Sequence, residues 1–536
     1  MQFSEVAHYN ALKVRKMKRT FQLFFLAFFF LSSHGIASLA QGVTAARAHA
    51  DHGLELAHAG NLKQATIELR QAVALDPKNV DYLADLANML AMQQNLKEAE
   101  VYFQKALRLN PASLALRRTL AADQFQLGEF NSAKKNLERI LQAYPTDRSS
   151  ILLLGMTEVN LKNYDQAARL LASVPNLVVQ HPESVAALAR AYYRTGQTRR
   201  ARETLASLLA HPQSPESVFL GGQMAEEAGD WQTAEKFFDS IRSTYPDSSR
   251  LALHLAHVEY GAGHYAASRQ LLEGLLREGH ENDRVYDLLG LCLAKENRLG
   301  LAQEALEKAI ALAPSTDSYY TDLAMILREH GRANTALALM RDCVRQIPGS
   351  FNCYLMKGRI ERSQQYLKDA AASFTQAARL RPSSADAEFG LATSLAGLGR
   401  IRQAATAFQK SIRISPGTAR FYQAYAKLLL AEAGVNDVVL KMRAASLLEK
   451  SISLDPSSAE SNYLLGQLRL DQGKTQAALP LLQTAARLNP QDGKVHYALW
   501  RAYRSLGREE QAATELSLYK RLSLGKHQPH PSSPAE

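Results

Sequence analysis

Cysteine is nearly missing from this chain: 536 residues hold three. So low a count excludes a disulfide-stapled framework and a multi-cysteine zinc scaffold. Charge of one sign is not concentrated outside the N-terminus. The formal net charge of +11 is mild for this length, which argues against a dedicated nucleic-acid binder. Catalytic signatures are missing too, since there is no nucleophile elbow, no HExxH zinc motif and no dinucleotide fingerprint. Gly473-Lys474-Thr475 resembles the end of a phosphate-binding loop, but the glycine required five places earlier is Leu468. What is present is a folded composition, 46% hydrophobic and 21% charged, too apolar for a disordered chain.

The N-terminus has its own pattern. Lys13, Arg15, Lys16, Lys18 and Arg19 precede the apolar run FQLFFLAFFFL at 21–31. Ser38-Leu39-Ala40 then places small residues three and one positions before Gln41. Basic, apolar, small is the order of a secretory signal peptide. The run is shorter than the roughly 20 residues a membrane-spanning helix needs. Residues 1–40 are therefore expected to direct export to the periplasm or cell envelope and to be removed, with Met17 as an alternative start. An uncleaved anchor at 21–40 is the alternative, and the one expected route to a membrane. Without 1–40, which carries five Lys/Arg and one acidic residue, the charge falls from +11 to +7.

The rest of the chain keeps time. Pro77, Pro111 and Pro145 are 34 apart, and so are Pro314, Pro348, Pro382 and Pro416, then Pro456 and Pro490. Twelve residues before each sits an alanine, from Ala65 to Ala478, and the frame extends to Ala167, Ala201 and Ala512, with Ser268 as its exception. Fourteen units fit between 46 and 526, with one residue lost between Pro182 and Pro215 and six gained at 434–439. Within a unit, apolar residues recur at helical spacing, as in Tyr286, Leu289 and Leu293. A Gly or Asn turn follows (Gly128, Gly331, Gly473), then a second amphipathic helix, then the proline that stops it. Small residues at the eighth position, such as Gly155, Gly290 and Gly466, face the recurrent alanine and let two helices approach.

These marks resemble the tetratricopeptide repeat, whose W-x2-L-G-x2-Y…A-x3-F…P pattern is echoed by Leu289-Gly290, Leu465-Gly466, Ala99 with Phe103 and Ala404 with Phe408. The resemblance covers about nine tenths of the chain and is weakest in the first, fourth, fifth, seventh and last units. It implies an all-α fold, an α-solenoid of stacked antiparallel helix pairs forming a right-handed superhelix with a concave groove. The organisation expected is a signal peptide at 1–40, the array at 41–526 and a disordered tail at 527–536. Helices of roughly 12–15 residues are marginal alone, so each pair must lean on its neighbours.

Within the array few residues invite chemistry. His254 and His257, spaced i,i+3, share a helix face, and His49, His52 and His58 lie in the first helix; no cysteine or carboxylate in sequence completes a metal set, so a structural role is expected. Cys343 and Cys353 flank the joint of the ninth and tenth units. They read as free core thiols, with a bridge open to them in an oxidising compartment. No metal, cofactor or catalytic residue is expected.

By the resemblance, ligands meet set positions of each first helix. Basic residues outnumber acidic ones there, and aromatics join them. The expected ligand groove comprises Arg118, Arg190, Tyr193, Arg194, Arg359, Arg362, Arg420, Lys427, Tyr497, Arg501 and Arg504. Arginine beside tyrosine supplies forked hydrogen bonds and a rigid apolar face. The family's carboxylate clamp is not expected, because Asn88 is accompanied by Ala84, Arg118 and Ala122. The function expected is an exported, non-catalytic scaffold that binds a protein or extended peptide, with an acidic partner suiting the groove. The alternative is an accessory of an envelope polysaccharide assembly or export complex whose groove meets an acidic polymer.

Overall fold

A computed structural model describes residues 43–434 and 437–525. The export segment expected at 1–40 and the tail expected at 527–536 lie outside the described residues. So do Val435 and Asn436 of the six-residue insertion.

The described residues form helices and no strand. First and second helices alternate in chain order, from a helix at 43–58 with its partner Leu62–Leu75 to Gly493–Ser505 with Glu509–Gly525. The chain divides into two compact bodies, Met1–Gly263 and His264–Glu536. Each is an α-solenoid of stacked helix pairs, and the packing described below lies within one or the other.

The proline clock marks where second helices stop. Two residues after most of these prolines stands the N-cap of the next first helix: Asn79, Ser113, Asp147, Ser350, Ser384, Ser458 and Asp492. The Asn79 side chain accepts from the backbone N–H groups of Asp81 and Tyr82 at 3.0 and 3.2 Å, satisfying donors that the first turn leaves open.

A further contact ties five of the prolines to the helix that follows. Four residues past the N-cap, a polar side chain reaches the proline carbonyl six residues back. Arg117 donates to Pro111, Tyr320 to Pro314, Tyr422 to Pro416 and Asn462 to Pro456, at 2.8–3.3 Å. His496 Nε2 lies 2.9 Å from Pro490 O. The carbonyl lies just past the C-cap of the preceding helix, outside that helix's own hydrogen bonds.

The recurrent alanines are the floor of the core. From Ala65 to Ala478 every one is fully buried, and Ser268 is buried in its turn. Gly290 shows why the facing position is small: a Cβ there would lie 2.6 Å from Leu306 Cγ and 3.1 Å from the Ala302 carbonyl oxygen. The apolar clusters run through neighbouring pairs. One joins Leu69, Leu86, Phe103 and Leu120; another joins Phe408, Tyr425, Leu448 and Leu465. Each such side chain is worth about 1.5–3 kcal/mol when buried, and no single pair holds enough of them to stand alone.

Two units depart from the frame. In the fourth, the second helix stops at Tyr164–Ala172 and a short turn Pro175–Val178 follows, with Pro175 at its start. Pro182 and Pro215 likewise open helices rather than close them. In the twelfth, the insertion lengthens the second helix to Val438–Leu454, and its first turn presents Val438, Val439 and Met442 to solvent.

Cys343 and Cys353, read from sequence as free core thiols, are joined by a disulfide with a Cα separation of 5.9 Å. The helices Ala333–Gln346 and Phe351–Ser363 converge there, which brings both thiols to one buried spot. Cys292 donates to Ser268 Oγ at 3.2 Å, and burial pushes its thiol up to about 11, so it is inert.

Candidate functional site

First helices of successive pairs touch one another, as Asp317–Glu329 does Phe351–Ser363 and Ala385–Gly397 does Ala419–Glu432. Charged side chains on these inner faces therefore meet the helix of the next pair. The expected groove residues do so repeatedly. In the first body Arg118 pairs with Asp147 at 2.8 Å and Arg190 with Glu227 at 2.9 Å. Tyr193 donates to Asp230 at 2.9 Å, and Arg202 grips the same carboxylate with two nitrogens. Burial resists ionisation of Asp230, but the bonds from Arg202, Tyr193 and Thr233 outweigh it and hold its pKa below the usual range.

The second body repeats the device. Arg359 and Arg420 both turn to Asp386, Lys427 pairs with Glu460 at 3.0 Å, and Arg501 pairs with Asp471 at 2.9 Å. These partners lie 27 to 37 residues apart, about one repeat, so the spacing that found the units also contained the pairs. Exposed pairs of this kind contribute about 0–1 kcal/mol each. Their effect is to hold the guanidinium groups in place.

What is left over is more selective. Among the described residues Arg194, Arg362 and Arg504 have no carboxylate within salt-bridge distance. Arg194 lines a small cleft with Arg190, Tyr193 and Met224. Arg362 is half-buried and donates to Thr393 Oγ1 at 3.2 Å. Burial lowers its pKa, and Arg359 and Arg420 lower it further. Around this trio Arg420 lies over the rings of Phe389 and Phe421, 5.4 and 5.2 Å from their centres. Arg504 lies 5.6 Å over the Trp500 ring, which contacts Tyr497. Tyr497 also meets Tyr519 and remains 41% exposed. The structure thus brings Arg359, Arg362 and Arg420 to one place, Arg190, Tyr193 and Arg194 to a second, and Tyr497, Arg501 and Arg504 to a third. Trp500 and Tyr519 were not singled out in sequence.

The histidine pair holds a carboxylate. His254 Nδ1 and His257 Nδ1 lie 2.7 and 2.6 Å from the two oxygens of Glu226. The hydrogen bond that His257 donates to Glu226 raises its pKa, with burial acting against it. His49 makes a similar contact with Glu68 at 2.7 Å. Among the described residues no group of three His, Cys, Asp or Glu is placed to hold a metal ion, and no helix is long and apolar enough to cross a membrane. Acidic groups also cluster on the inner face. Burial, then Asp322 and Asp283, pushes Asp287 up to about 7.

Comparison with known proteins fits this architecture. Family profiles described as tetratricopeptide repeat match residues 90–154, 124–183, 225–292 and 469–521, then 50–113, 186–249, 355–419 and 442–492, and 283–316. Among curated proteins, the Arabidopsis thaliana Protein CTR9 homolog is 22% identical over 299 residues, which is 53% of this chain and 26% of that protein. The chain thus spans about a quarter of that relative's length. Among solved structures, yeast Tom70 is 15% identical with a TM-score of 0.38, over 83% of this chain and 96% of that one. YrrB, described as a TPR protein with an unusual peptide-binding site, is 20% identical with a TM-score of 0.31, over 37% and 98%.

Proposed function

This chain belongs to the tetratricopeptide repeat family, and from that premise we propose that it is an exported scaffold that holds an extended peptide against its first helices. A protein-interaction scaffold is what the family and its repeats support. The peptide, the face and the export are our reading. The observation that carries it is the arrangement of arginines: most are locked to a carboxylate one repeat away, while among the described residues Arg194, Arg362 and Arg504 have no carboxylate within salt-bridge distance, and Arg504 lies over Trp500 beside the exposed Tyr497. A fixed guanidinium loses little freedom when it binds, and an aromatic wall excludes water around it. Because Arg118, Arg190, Arg359, Arg420, Lys427 and Arg501 are already paired, the face suits a peptide with spaced acidic residues better than a uniformly charged polymer.

The test is retention of partners from cell-envelope extract by wild type and by Arg362→Glu/Arg504→Glu. Loss of a retained protein in the variant supports the reading. No retained protein, or equal retention by both, refutes it. A polymer ligand would show itself by release between low and physiological salt. Export is read separately by N-terminal sequencing of the mature chain, which should begin near Gln41.

A further inference from the structure

On the side of the first body away from the inner face, the second helices Leu96–Leu109 and Phe130–Ala143 flank an open cleft of about 570 Å³ over the helix Leu114–Gln126. Its floor is apolar, with Leu107 and Leu120. Its walls carry four cations: Arg108, Arg117, Lys135 and Arg139.

Arg117 is the unusual member. Its residue is only 6% exposed. It donates to the Pro111 carbonyl at 2.8 Å and to Asn136 Oδ1 at 3.1 Å, both neutral acceptors. Among the described residues none of the four cations has a carboxylate within salt-bridge distance. The nearby acids do not reach them: Glu100 accepts from Gln104 and Gln124, and Asp123 beside it is pushed up to about 6 by burial and by Glu100. A buried, uncompensated guanidinium is costly. Its pKa is lowered by burial first and by Arg139 second.

Other repeats show that the fold does not require this charge. The same position, bonding the same proline carbonyl, holds neutral Tyr320, Tyr422 and Asn462, while His496 is matched by Glu515 at 2.7 Å. An equivalent cleft between the tenth and eleventh repeats, of about 540 Å³, carries Glu388 there, and Lys410 meets it at 3.5 Å. Among the described residues, only around Arg117 does the position bring a charge that no carboxylate within salt-bridge distance balances.

We propose that this cleft binds a small organic phosphate monoester, with its phosphate among Arg117, Arg139, Lys135 and Arg108 and its apolar body on Leu107 and Leu120. Two features select this class. A phosphate monoester carries about −1.5 to −2 charges and three acceptor oxygens, matching several cations better than a single carboxylate does. The volume lies within the roughly 300–1,000 Å³ of small-molecule sites. The site is separate from the peptide-binding face and does not depend on it.

The test is calorimetric titration of the full chain with phenyl phosphate and, in parallel, inorganic phosphate. Wild type should bind phenyl phosphate saturably at one site and inorganic phosphate at least about tenfold more weakly. Arg117→Tyr installs the residue that other repeats use on the proline carbonyl, so the fold is kept and the charge removed. Lys135→Glu/Arg139→Glu reverses two exposed cations. Each should weaken phenyl phosphate binding at least tenfold with an unchanged circular dichroism spectrum, whereas Arg501→Glu/Arg504→Glu should not weaken it. No saturable binding by wild type, or full binding by Arg117→Tyr, overturns the site. Equal affinity for the two phosphates overturns the role of the apolar floor.

Discussion

The turn between the two helices of a pair offers a measurement with its own control. At nine of these turns the chain has glycine with φ between +70° and +88°, as at Gly128 and Gly331. At four equivalent turns it has another residue in the same left-handed region: Gln94, Lys162, Asn297 and Gln365, with φ of 61–64°. A Cβ at Gly128, Gly331 or Gly473 would meet nothing within 4 Å, so the difference between the two kinds of turn is backbone alone. The left-handed conformation costs an ordinary residue about 1–2 kcal/mol. Glycine gives back about 0.5–1 kcal/mol through the freedom of its unfolded chain. Lys162→Gly and Gln94→Gly should therefore stabilise by about 0.5–1 kcal/mol each. Asn297→Gly should change little, because asparagine enters this region readily. Guanidinium unfolding followed by circular dichroism, with amide exchange in the flanking helices, reads the difference. The reasoning fails if Asn297→Gly gains as much as Lys162→Gly, or if Lys162→Gly loses stability.

The Glu226 clasp should depend on pH in a defined window. Glu226 is depressed: burial opposes it, but bonds from His254 and His257 prevail, so its contribution is present above its ordinary 4.5 and lost as pH falls through the lower folded value. His257 is raised from 6.5, so its contribution is present below that and lost as pH rises through the folded value. Glu226→Gln should thus lower the melting temperature most near pH 5.5 and least above pH 8, and an equal loss at both would count against the clasp. Asp287, pushed to about 7, works the other way: wild type loses stability as pH rises from about 4 through 7, so Asp287→Asn should stabilise at pH 8 and be neutral at pH 4; stabilisation independent of pH would contradict this. Breaking the Cys343–Cys353 bridge with reductant should cost on the order of 2–3 kcal/mol for a loop of about ten residues, read as a lower melting temperature that Cys343→Ser reproduces. Gly290→Ala forces Leu306 to move and should cost about 1–3 kcal/mol, where Gly300→Ala, with open space around it, should cost nothing.

The repeat itself was legible because it is periodic, and the buried alanines and the proline stops follow the frame residue by residue. The fourth repeat departs from the frame because Pro175 and Pro182 start helices instead of ending them, a role that proline spacing does not reveal. The arginines expected in the groove were chosen by position, but their carboxylate partners were not foreseen, since pairing depends on which way each side chain turns toward the next helix. Cys343 and Cys353 illustrate the same gap: ten residues of separation say nothing of distance until the turn between two helices is fixed. The Arg117 cleft was invisible for a similar reason, because its four cations come from two repeats and three helices, and only its burial marks it out.

The bond from a first helix back to the preceding proline carbonyl has a mechanical consequence. It fastens two consecutive hairpins at their shared corner, so a joint that has it resists bending and one without it is a softer hinge. Tyr320, Tyr422, Asn462 and His496 make the joints they occupy stiff, whereas Leu83, Ile151 and Leu251 put hydrocarbon at the same place. Under load, each body should therefore yield first at the joints closed by hydrocarbon, its stiffness set joint by joint by one side chain per repeat.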